Sequence, residues 1–428
     1  MIPIENLHEF DFELVEIDSS WNIGMEKEFK IHQIHSYPAK FPAFIATKAI
    51  EYSKENGLAV NSMADIFCGC GTSAFEAKRN GIDFWGCDIN PVATLIANAK
   101  SQNYSATYVG KYLKKILEEF QNVKNIPCYK EANERIRYWY KEEQYRDLVK
   151  LKIAIETSVP ARSKYKLFFL CAFSNILKAT SVWLTKSIKP QVDPNKKPGN
   201  VLEKFNHQCK FMVNASNEIA TETQSKITIQ TKNILQKNLA LPKVDLIVTS
   251  PPYVTSYEYA DLHQLSSLWL GYTDDHRKLR AGSIGSLYHD DYDCLKEWRK
   301  LNETGYKIVT QLYNNDKSKS RSVAKYFLDM QKVAARVYQM LNNNGISVFV
   351  IGNTEYKGVR IDNAKHLAES LFEAGFDEVL TSKRKISKKI LTPYRDENGK
   401  FSTNKSGRKI YSEEFIVVGR KLCNEKAR

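Results

Sequence analysis

The sequence has no run of about 18 apolar residues, and this absence argues against a membrane-spanning helix. Its first residues, Met1 to Glu5, lack the basic start and apolar stretch of a secretory signal. The eight cysteines are scattered and do not have the spacing of a disulfide framework. These absences favour a cytoplasmic protein with reduced thiols and no membrane partner.

Acidic residues are fewer than basic residues in this sequence. The 428 residues include 49 Asp and Glu against 63 Lys and Arg, which gives a net charge of +14 and an isoelectric point near 9.1. A protein this basic is biased toward anionic partners, nucleic acid first. Hydrophobic residues make up 43%, enough for a packed core. The length exceeds that of one ordinary α/β domain, so we expect two domains or one domain with a large insertion.

Two segments of alternating strand and helix flank a helical one. Residues 60–100 have the pattern strand, glycine turn, helix, strand, and residues 244–249 form a short apolar strand. Between them, residues 105–220 have helical spacing and few glycines. Residues 383–410 are basic and rich in turn residues, which fits either a solvated loop or a role in binding phosphates.

The first segment carries a glycine turn, Asp65-Ile66-Phe67-Cys68-Gly69-Cys70-Gly71-Thr72, between a strand and a helix. Glycine allows close approach of a ligand, and a helix N-terminus offers free N–H groups, although packing alone also explains such a turn. Asp88, at the end of the next strand, could accept hydrogen bonds from ribose hydroxyls. The third glycine of the dinucleotide fingerprint is missing, so no pyrophosphate cradle is evident.

The second segment runs from its buried strand directly into Thr249-Ser250-Pro251-Pro252-Tyr253. The two prolines stiffen the backbone and remove two N–H donors, so nearby carbonyls are left free to accept. A serine hydroxyl, a rigid carbonyl and an aromatic ring at the end of a strand suit the binding of a planar group that carries an NH₂. A plain loop at the end of a strand is the alternative.

The Ser-Pro-Pro-Tyr string resembles motif IV of the amino-methylating DNA methyltransferases, which transfer a methyl group from S-adenosylmethionine to an exocyclic base nitrogen. The glycine turn resembles motif I of that family. The stretch His35-Ser36-Tyr37-Pro38-Ala39-Lys40-Phe41-Pro42 resembles its N-terminal motif, which borders the methionine end of the cofactor. Members with Ser-Pro-Pro-Tyr usually methylate N4 of cytosine, and members with Asp-Pro-Pro-Tyr or Asn-Pro-Pro-Tyr usually methylate N6 of adenine.

The resemblance implies a Rossmann-like class I S-adenosylmethionine-dependent methyltransferase fold, with a mixed, mainly parallel sheet and a helical insertion. It divides the chain into the N-terminal motif with the cofactor-binding half (1–110), a helical insertion with a role in target recognition (111–225), and the catalytic half with a basic C-terminal segment (226–428). The cofactor is S-adenosylmethionine and no metal site is expected.

The implied activity is site-specific methylation of N4 of a flipped cytosine in double-stranded DNA. The enzyme would modify DNA in a bacterial restriction–modification system, in the cytoplasm at the nucleoid, with a separately acting restriction endonuclease as its partner. Three alternatives stay open: methylation of adenine N6, RNA as the substrate, and a nucleic-acid-binding protein that has kept the fold and lost catalysis. The carbon-5 methylating type is disfavoured because no Pro-Cys motif of that family's type is present.

The resemblance also assigns roles to residues. Ser250 and the carbonyl of Pro251 would accept hydrogen bonds from the amine, Tyr253 would stack on the base, and Pro252 completes the catalytic motif. The expected cofactor-binding residues are Tyr37, Lys40, Asp65, Phe67, Gly69, Gly71, Thr72, Asp88 and Ile89.

Other positions stay open. Residues 227–235 lack the acid that often contacts the cofactor adenine, so Asn233 or a main-chain group could replace it. Tyr257, Tyr259 and His263 could lie on a helix that closes the pocket. His35 could line the entrance for the cofactor or the substrate.

Overall fold

The computed structural model describes residues 1–22, 27–38, 40, 42–218, 224–254, 258–288, 297–386, 394–395, 408–409 and 412–423. Its strands are β1 (Ile2–Pro3), β2 (Ser62–Asp65), β3 (Asp83–Asp88), β4 (Ile227–Thr231), β5 (Val244–Thr249), β6 (Leu341–Ile351), β7 (Thr354–Tyr356), β8 (Val359–Ile361), β9 (Glu378–Lys385), β10 (Tyr394–Arg395), β11 (Arg408–Lys409) and β12 (Glu413–Arg420). Its α-helices are α1 (Ala43–Glu55), α2 (Thr72–Arg79), α3 (Pro91–Ser101), α4 (Ala106–Asn122), α5 (Glu134–Trp139), α6 (Glu142–Ser158), α7 (Lys164–Ile176), α8 (Val201–Asn217), α9 (Tyr259–Leu262), α10 (Gln264–Trp269), α11 (Glu303–Asn315), α12 (Lys317–Met340) and α13 (Asn363–Glu373).

The main sheet has the strand order β1-β9-β12-β6-β5-β2-β3-β4. The five strands from β6 to β4 are parallel, and β12 lies antiparallel between β6 and β9. After β1 at the far edge, the chain enters the middle of the sheet at β2, moves outward to β4, and then returns to β5 on the other side of β2. Ligands bind at such a reversal in open α/β sheets. This topology confirms the predicted Rossmann-like class I fold with a mixed, mainly parallel sheet.

Helices cover both faces of the sheet because the central strands are apolar on both sides. Along β5, Leu246 and Val248 pack in a cluster with α1 and α2, whereas Ile247 packs in a cluster with α12 and α13. Successive side chains of a strand point to opposite faces, so one continuous apolar strand contributes to both cores. The central strand is thereby fixed in register, and its last residue, Thr249, is buried.

The chain from α4 to α8 is a helical region inserted between β3 and β4, as predicted. It has its own core, which includes Trp139, Phe168 and Phe205 and extends to Ile96 of α3 and Trp269 of α10. The domain boundaries at residues 111 and 225 remain predictions. No helix in the described part of the chain is long and apolar enough to cross a membrane.

One helix is longer than the sequence pattern indicated. The apolar spacing predicts a helix over about 325–341, whereas α12 begins at Lys317 because the side chain of Asp316 accepts a hydrogen bond from the backbone N–H of Lys319. This is an ordinary N-cap, and it adds two turns before the apolar stripe starts. Ala39, Phe41, Tyr257 and most of the basic segment 383–410 lie outside the described residues.

Candidate active site

A cavity of about 610 Å³ lies at the carboxyl ends of the central strands. Residues that follow four parallel strands line it: Phe67 after β2, Ile89 after β3, Lys232 after β4 and Ser250 after β5. Its other walls come from residues 279–288 and from α12. The cavity therefore occupies the place where the strand order reverses, and its size is typical of a small-molecule site.

The two glycines of the turn are required for different structural reasons. Gly69 has φ of +48° and lines the cavity, and a Cβ at this position would lie 3.4 Å from the hydroxyl of Tyr37. Gly71 has φ of +76°, and a Cβ there would lie 2.7 Å from Cβ of Ala97 in α3. Gly71 is thus required for helix packing and is not among the described residues that line the cavity. Of these two glycines, Gly69 is the one at the cavity surface.

Asp88 is held rigidly at the cavity wall. Its Oδ2 accepts the backbone N–H of Gly69 at 2.9 Å, and its Oδ1 accepts the backbone N–H of Asn90 at 2.8 Å. Burial raises the pKa of Asp88 to about 6. Each carboxylate oxygen can accept a further hydrogen bond, so Asp88 can receive two donors from a ligand.

Asp65 has a different surrounding. Its carboxylate is fully buried and accepts from the hydroxyls of Thr249 at 2.7 Å and Ser73 at 2.8 Å, and from the backbone N–H of Phe67 at 3.1 Å. Burial raises the pKa of Asp65 to about 6. Asp65 is not among the described residues that line the cavity; it joins β2, α2 and β5 beneath the turn.

The Ser-Pro-Pro-Tyr segment contributes three lining residues. Ser250, Pro252 and Tyr253 line the cavity, whereas Pro251 is buried and is not among the described lining residues. The hydroxyl of Ser250 donates to the carbonyl of Val350 at 3.0 Å. Because the proton of this hydroxyl is directed to Val350, the oxygen lone pairs are free to accept from a ligand.

Tyr253 is fixed by a carboxylate. Its hydroxyl donates to Oε1 of Glu414 at 3.0 Å, and Oε2 of the same side chain forms an ion pair with Arg384. Burial, together with the neighbouring Glu414, raises the pKa of Tyr253 well above its usual value, so the phenol is neutral. The ring forms part of the cavity wall.

The N-terminal motif adds an aromatic wall. The Tyr37 ring stacks on Tyr259 with centroids 6.1 Å apart and lies 5.0 Å from the ring of His263. Burial lowers the pKa of His263 to about 3, and its neutral Nδ1 accepts from Nδ2 of Asn90 at 2.6 Å. These contacts connect the N-terminal motif, the segment after β3, and the helices α9 and α10 that follow β5. This wall of the cavity is therefore built from three separate parts of the chain.

Lys40 also lines the cavity, whereas His35 does not. The ammonium of Lys40 donates to Glu28 at 3.0 Å and to the carbonyl of His32 at 2.8 Å. His35 contacts the hydroxyl of Ser174 at 2.8 Å. Burial lowers the pKa of His35 to about 4, so it is neutral in this packing position.

Ten of the thirteen residues named from the sequence line one cavity: Tyr37, Lys40, Phe67, Gly69, Thr72, Asp88, Ile89, Ser250, Pro252 and Tyr253. Sequence reasoning missed Lys319, Ser322 and Tyr326 of α12, and it considered residues 274–290 as a DNA contact or a plain loop but did not place the segment 279–288 at the cavity. That segment has a local signal in Gly282 and Gly285, both with positive φ. The three residues of α12 have none, because their helix pattern is that of an ordinary amphipathic helix.

Asn233 occupies the position where the sequence lacks the usual acid. It lines the cavity, and its side chain is already bonded on both sides: Oδ1 accepts the backbone N–H of Leu235 at 2.9 Å, and Nδ2 donates to the carbonyl of Gly282 at 2.9 Å. Asn233 therefore anchors the segment 279–288 across this end of the cavity.

The strand order and the cavity at the strand ends are those of the class I methyltransferase fold. Proteins of known name to which the chain is similar are also methyltransferases. No protein-family model matches the sequence. The chain is similar to Type II methyltransferase M.MvaI of Kocuria varians, with 24% identity over 421 residues and 92% of each chain covered. It is 21% identical over 407 residues to Type II methyltransferase M.AvaI of Nostoc sp., covering 87% of this chain and 82% of M.AvaI.

Both similarities extend over most of the chain. Among solved structures, an S-adenosylmethionine-dependent methyltransferase from Methanosarcina mazei overlaps with a TM-score of 0.31 and 10% identity, covering 91% of this chain and 100% of that one.

Proposed function

We propose that this chain is a site-specific DNA methyltransferase that transfers a methyl group from S-adenosylmethionine to N4 of a cytosine flipped out of duplex DNA. One observation carries the proposal: a single cavity contains both the Gly69 turn with Asp88 and the Ser250–Tyr253 corner. A donor site and an amine-binding site must be adjacent for direct transfer. The similarity to two Type II methyltransferases along most of the chain supports the reaction class.

The cofactor end of the cavity fits S-adenosylmethionine. Asp88 offers two acceptors to the ribose hydroxyls, and Gly69 leaves the turn without a side chain beside them. The side chain of Asn233 bonds Leu235 and Gly282 and keeps a second N–H and a second lone pair, so it and the main-chain groups of residues 232–234 are both candidates for adenine contacts. When bound, the cofactor supplies a methyl group on a positively charged sulfur.

The other end of the cavity suits an exocyclic amine. The lone pair of such an amine is delocalised into the base, so the amine needs acceptors that favour a tetrahedral, partly positive nitrogen. The Ser250 oxygen would accept one N–H, since its own proton goes to Val350, and the Pro251 carbonyl would accept the other. Acceptors that strengthen as positive charge develops stabilise the transition state more than the ground state. Tyr253 would stack on the face of the base.

Flipping the nucleotide costs a few kcal/mol, and stacking on an aromatic ring offsets part of it. Contacts to phosphates supply the rest. The helical region from α4 to α8, residues 106–217, has 21 Lys and Arg against 10 Asp and Glu, so it holds most of the net positive charge of the chain. We therefore assign DNA binding and target recognition to this region together with the basic segment 383–410, with affinity that falls as salt rises.

The Ser-Pro-Pro-Tyr motif favours cytosine, and the place we propose is the modification half of a bacterial restriction–modification pair with a separate endonuclease. The test is incubation of unmethylated duplex DNA with the protein and labelled S-adenosylmethionine, followed by digestion to nucleosides and mass spectrometry. We expect N4-methylcytosine. N6-methyladenine would reassign the target base, and absence of label on any DNA would favour the non-catalytic nucleic-acid-binding alternative.

The Ser250→Ala variant tests the amine contact. We expect the single-turnover rate to fall about 10- to 100-fold, the value of one hydrogen bond to a charged group, while S-adenosylmethionine affinity is unchanged. Ser53→Ala is the matched control, because that hydroxyl also donates to a backbone carbonyl, that of Ala49 at 2.8 Å, but lies within α1 and away from the described cavity lining. An unchanged rate in Ser250→Ala would remove this side chain from the reaction.

A further inference from the structure

A buried ion pair lies behind Tyr253. Arg384 of β9 and Glu414 of β12 face each other in the antiparallel ladder, and the Arg384 side chain is only 2% exposed. Its Nη1 bonds Oε2 of Glu414, its Nε donates to the carbonyl of Trp21 at 3.0 Å, and its guanidinium lies 5.6 Å from the centre of the Phe44 ring. The charge is therefore held on several sides.

Stability alone does not explain this pair. Removing two charges from water is costly, and well-packed apolar residues are commonly as stable as a buried ion pair. The pair is explained by what it holds. Oε1 of Glu414 accepts the Tyr253 hydroxyl at 3.0 Å, while Oε2 is bound to Arg384. The two carboxylate oxygens thus connect the antiparallel edge of the sheet to the Ser-Pro-Pro-Tyr corner.

The movement of the Tyr253 ring is also restricted by the backbone that packs against it at Gly352. Gly352 follows β6 directly, and a Cβ on Gly352 would lie 3.0 Å from Cε2 and 3.5 Å from Cδ2 of the ring. The ring therefore packs against backbone, which only glycine permits at this distance. With two prolines before Tyr253, its backbone is stiff as well. A change in χ1 would move the hydroxyl away from Glu414 and break their hydrogen bond, whereas rotation of the ring about its own axis leaves the hydroxyl in place and is limited by the packing against Gly352.

We propose that Glu414 and Arg384 are positioning residues, which fix the Tyr253 ring in the orientation that receives the flipped base. The proposal rests on the proposed function, because it assigns the ring to base stacking. A ring that is already ordered loses no side-chain freedom when the base arrives, so more of the stacking energy remains for holding the nucleotide outside the helix. Arg384 acts through Glu414, and Glu414 acts through the Tyr253 hydroxyl.

The direct test is Tyr253→Phe, which keeps the ring and removes only the hydroxyl. We expect the single-turnover methylation rate at limiting DNA to fall about tenfold, with unchanged S-adenosylmethionine affinity and unchanged melting temperature within a few degrees. Tyr104→Phe is the matched control, since the Tyr104 hydroxyl also donates to a backbone carbonyl, that of Ala99 at 3.0 Å, but Tyr104 lies outside the helical region and is not among the described residues that line the cavity. This control should keep the wild-type rate.

A double-mutant cycle separates positioning from a general structural role. Glu414→Gln should lower the rate in the wild-type background and add little in the Tyr253→Phe background, because both changes break one connection. If the two effects multiply, the ion pair does not act through Tyr253 and the proposal is overturned. Should Glu414→Gln fail to fold, Gly352→Ala replaces it, since its Cβ displaces the same ring and should reproduce the loss of rate.

The outcomes also separate this proposal from the proposed function. Wild-type protein that methylates DNA while Tyr253→Phe keeps the full rate would overturn the positioning role and leave the function intact. Wild-type protein that transfers no methyl group would overturn the function itself. In that case the effects of Tyr253→Phe, Glu414→Gln and the double variant on the free energy of unfolding can still be compared by thermal unfolding. If the two single effects simply add in the double variant, the hydrogen bond on which the positioning role depends is contradicted.

Discussion

Replacing Asp88 by asparagine separates ligand binding from folding, because the side chain keeps its shape and loses one acceptor. In the native site each carboxylate oxygen accepts one backbone N–H, from Gly69 at 2.9 Å and from Asn90 at 2.8 Å. Asparagine has one oxygen and one NH₂, so one of these N–H groups would face a donor. The change removes one internal hydrogen bond and one of the two acceptors offered to a ribose.

The magnitudes decide which effect is seen. The internal hydrogen bond to a charged group is worth about 1.5–3 kcal/mol. Burial raises the pKa of Asp88 from 3.8 to about 6, so the ionised carboxylate costs about 3 kcal/mol at neutral pH, and the neutral amide removes this cost. The two contributions to the free energy of unfolding nearly cancel. The lost ribose contact has no such offset, so affinity should fall about 10- to 100-fold.

The assay is calorimetric titration of S-adenosylmethionine into wild type and Asp88→Asn at pH 7.5, with thermal unfolding of both proteins. Asp83→Asn is the matched control, since Asp83 begins the same strand at its other end and accepts the backbone N–H of Lys226 at 2.8 Å. Equal dissociation constants for Asp88→Asn and wild type would refute the ribose contact. A large fall in melting temperature would refute the cancellation.

Two further predictions concern pH and the buried acid. S-adenosylmethionine affinity should fall as pH drops through about 6, because protonated Asp88 loses an acceptor; titrations from pH 5 to 8 test this, and Asp88→Asn should show no such inflection. The raised pKa of Asp65, about 6, means that the folded state binds the proton more tightly, so its contribution to the free energy of unfolding is present below pH 3.8 and lost as pH rises through 6. Asp65→Asn should remove this slope in denaturant titrations, and Asp65→Ala should destabilise by about 3 kcal/mol because it leaves the partners Ser73 and Thr249 and one N–H without their acceptor. Equal stability of Asp65→Ala and wild type would contradict this.

The sequence was most informative where one short stretch contains both the residues that form a turn and the side chains that can bind a ligand. The glycine turn and the Ser-Pro-Pro-Tyr corner each consist of consecutive residues, and each follows a short apolar strand. Both could therefore be located without knowing which distant residues are in contact. Bringing them together required only the rule that parallel strands end at the same edge of the sheet. The predicted fold class was confirmed for this reason.

The direction of a side chain at a strand end is not local, and there the sequence did not suffice. Asp65 and Asp88 both end parallel strands, yet Asp88 lines the cavity and Asp65 faces Ser73 and Thr249 beneath it. The difference depends on which neighbours offer donors, and one of them, Thr249, comes from a strand some 180 residues later in the sequence. The α12 residue Tyr326 was missed for a similar reason, because the helix face toward a cavity is set by tertiary packing.

The helical region between β3 and β4 has a consequence for how the chain can vary. A crossover between two neighbouring parallel strands needs one helix, and α3 already lies on that path, so α4 to α8 exceed what the connection requires. Yet a plain deletion would uncover Ile96 of α3 and Trp269 of α10, both of which are buried with the helical region. A replacement for this region must therefore bring its own apolar underside, while its outer face, to which we have assigned DNA binding, is free to diverge.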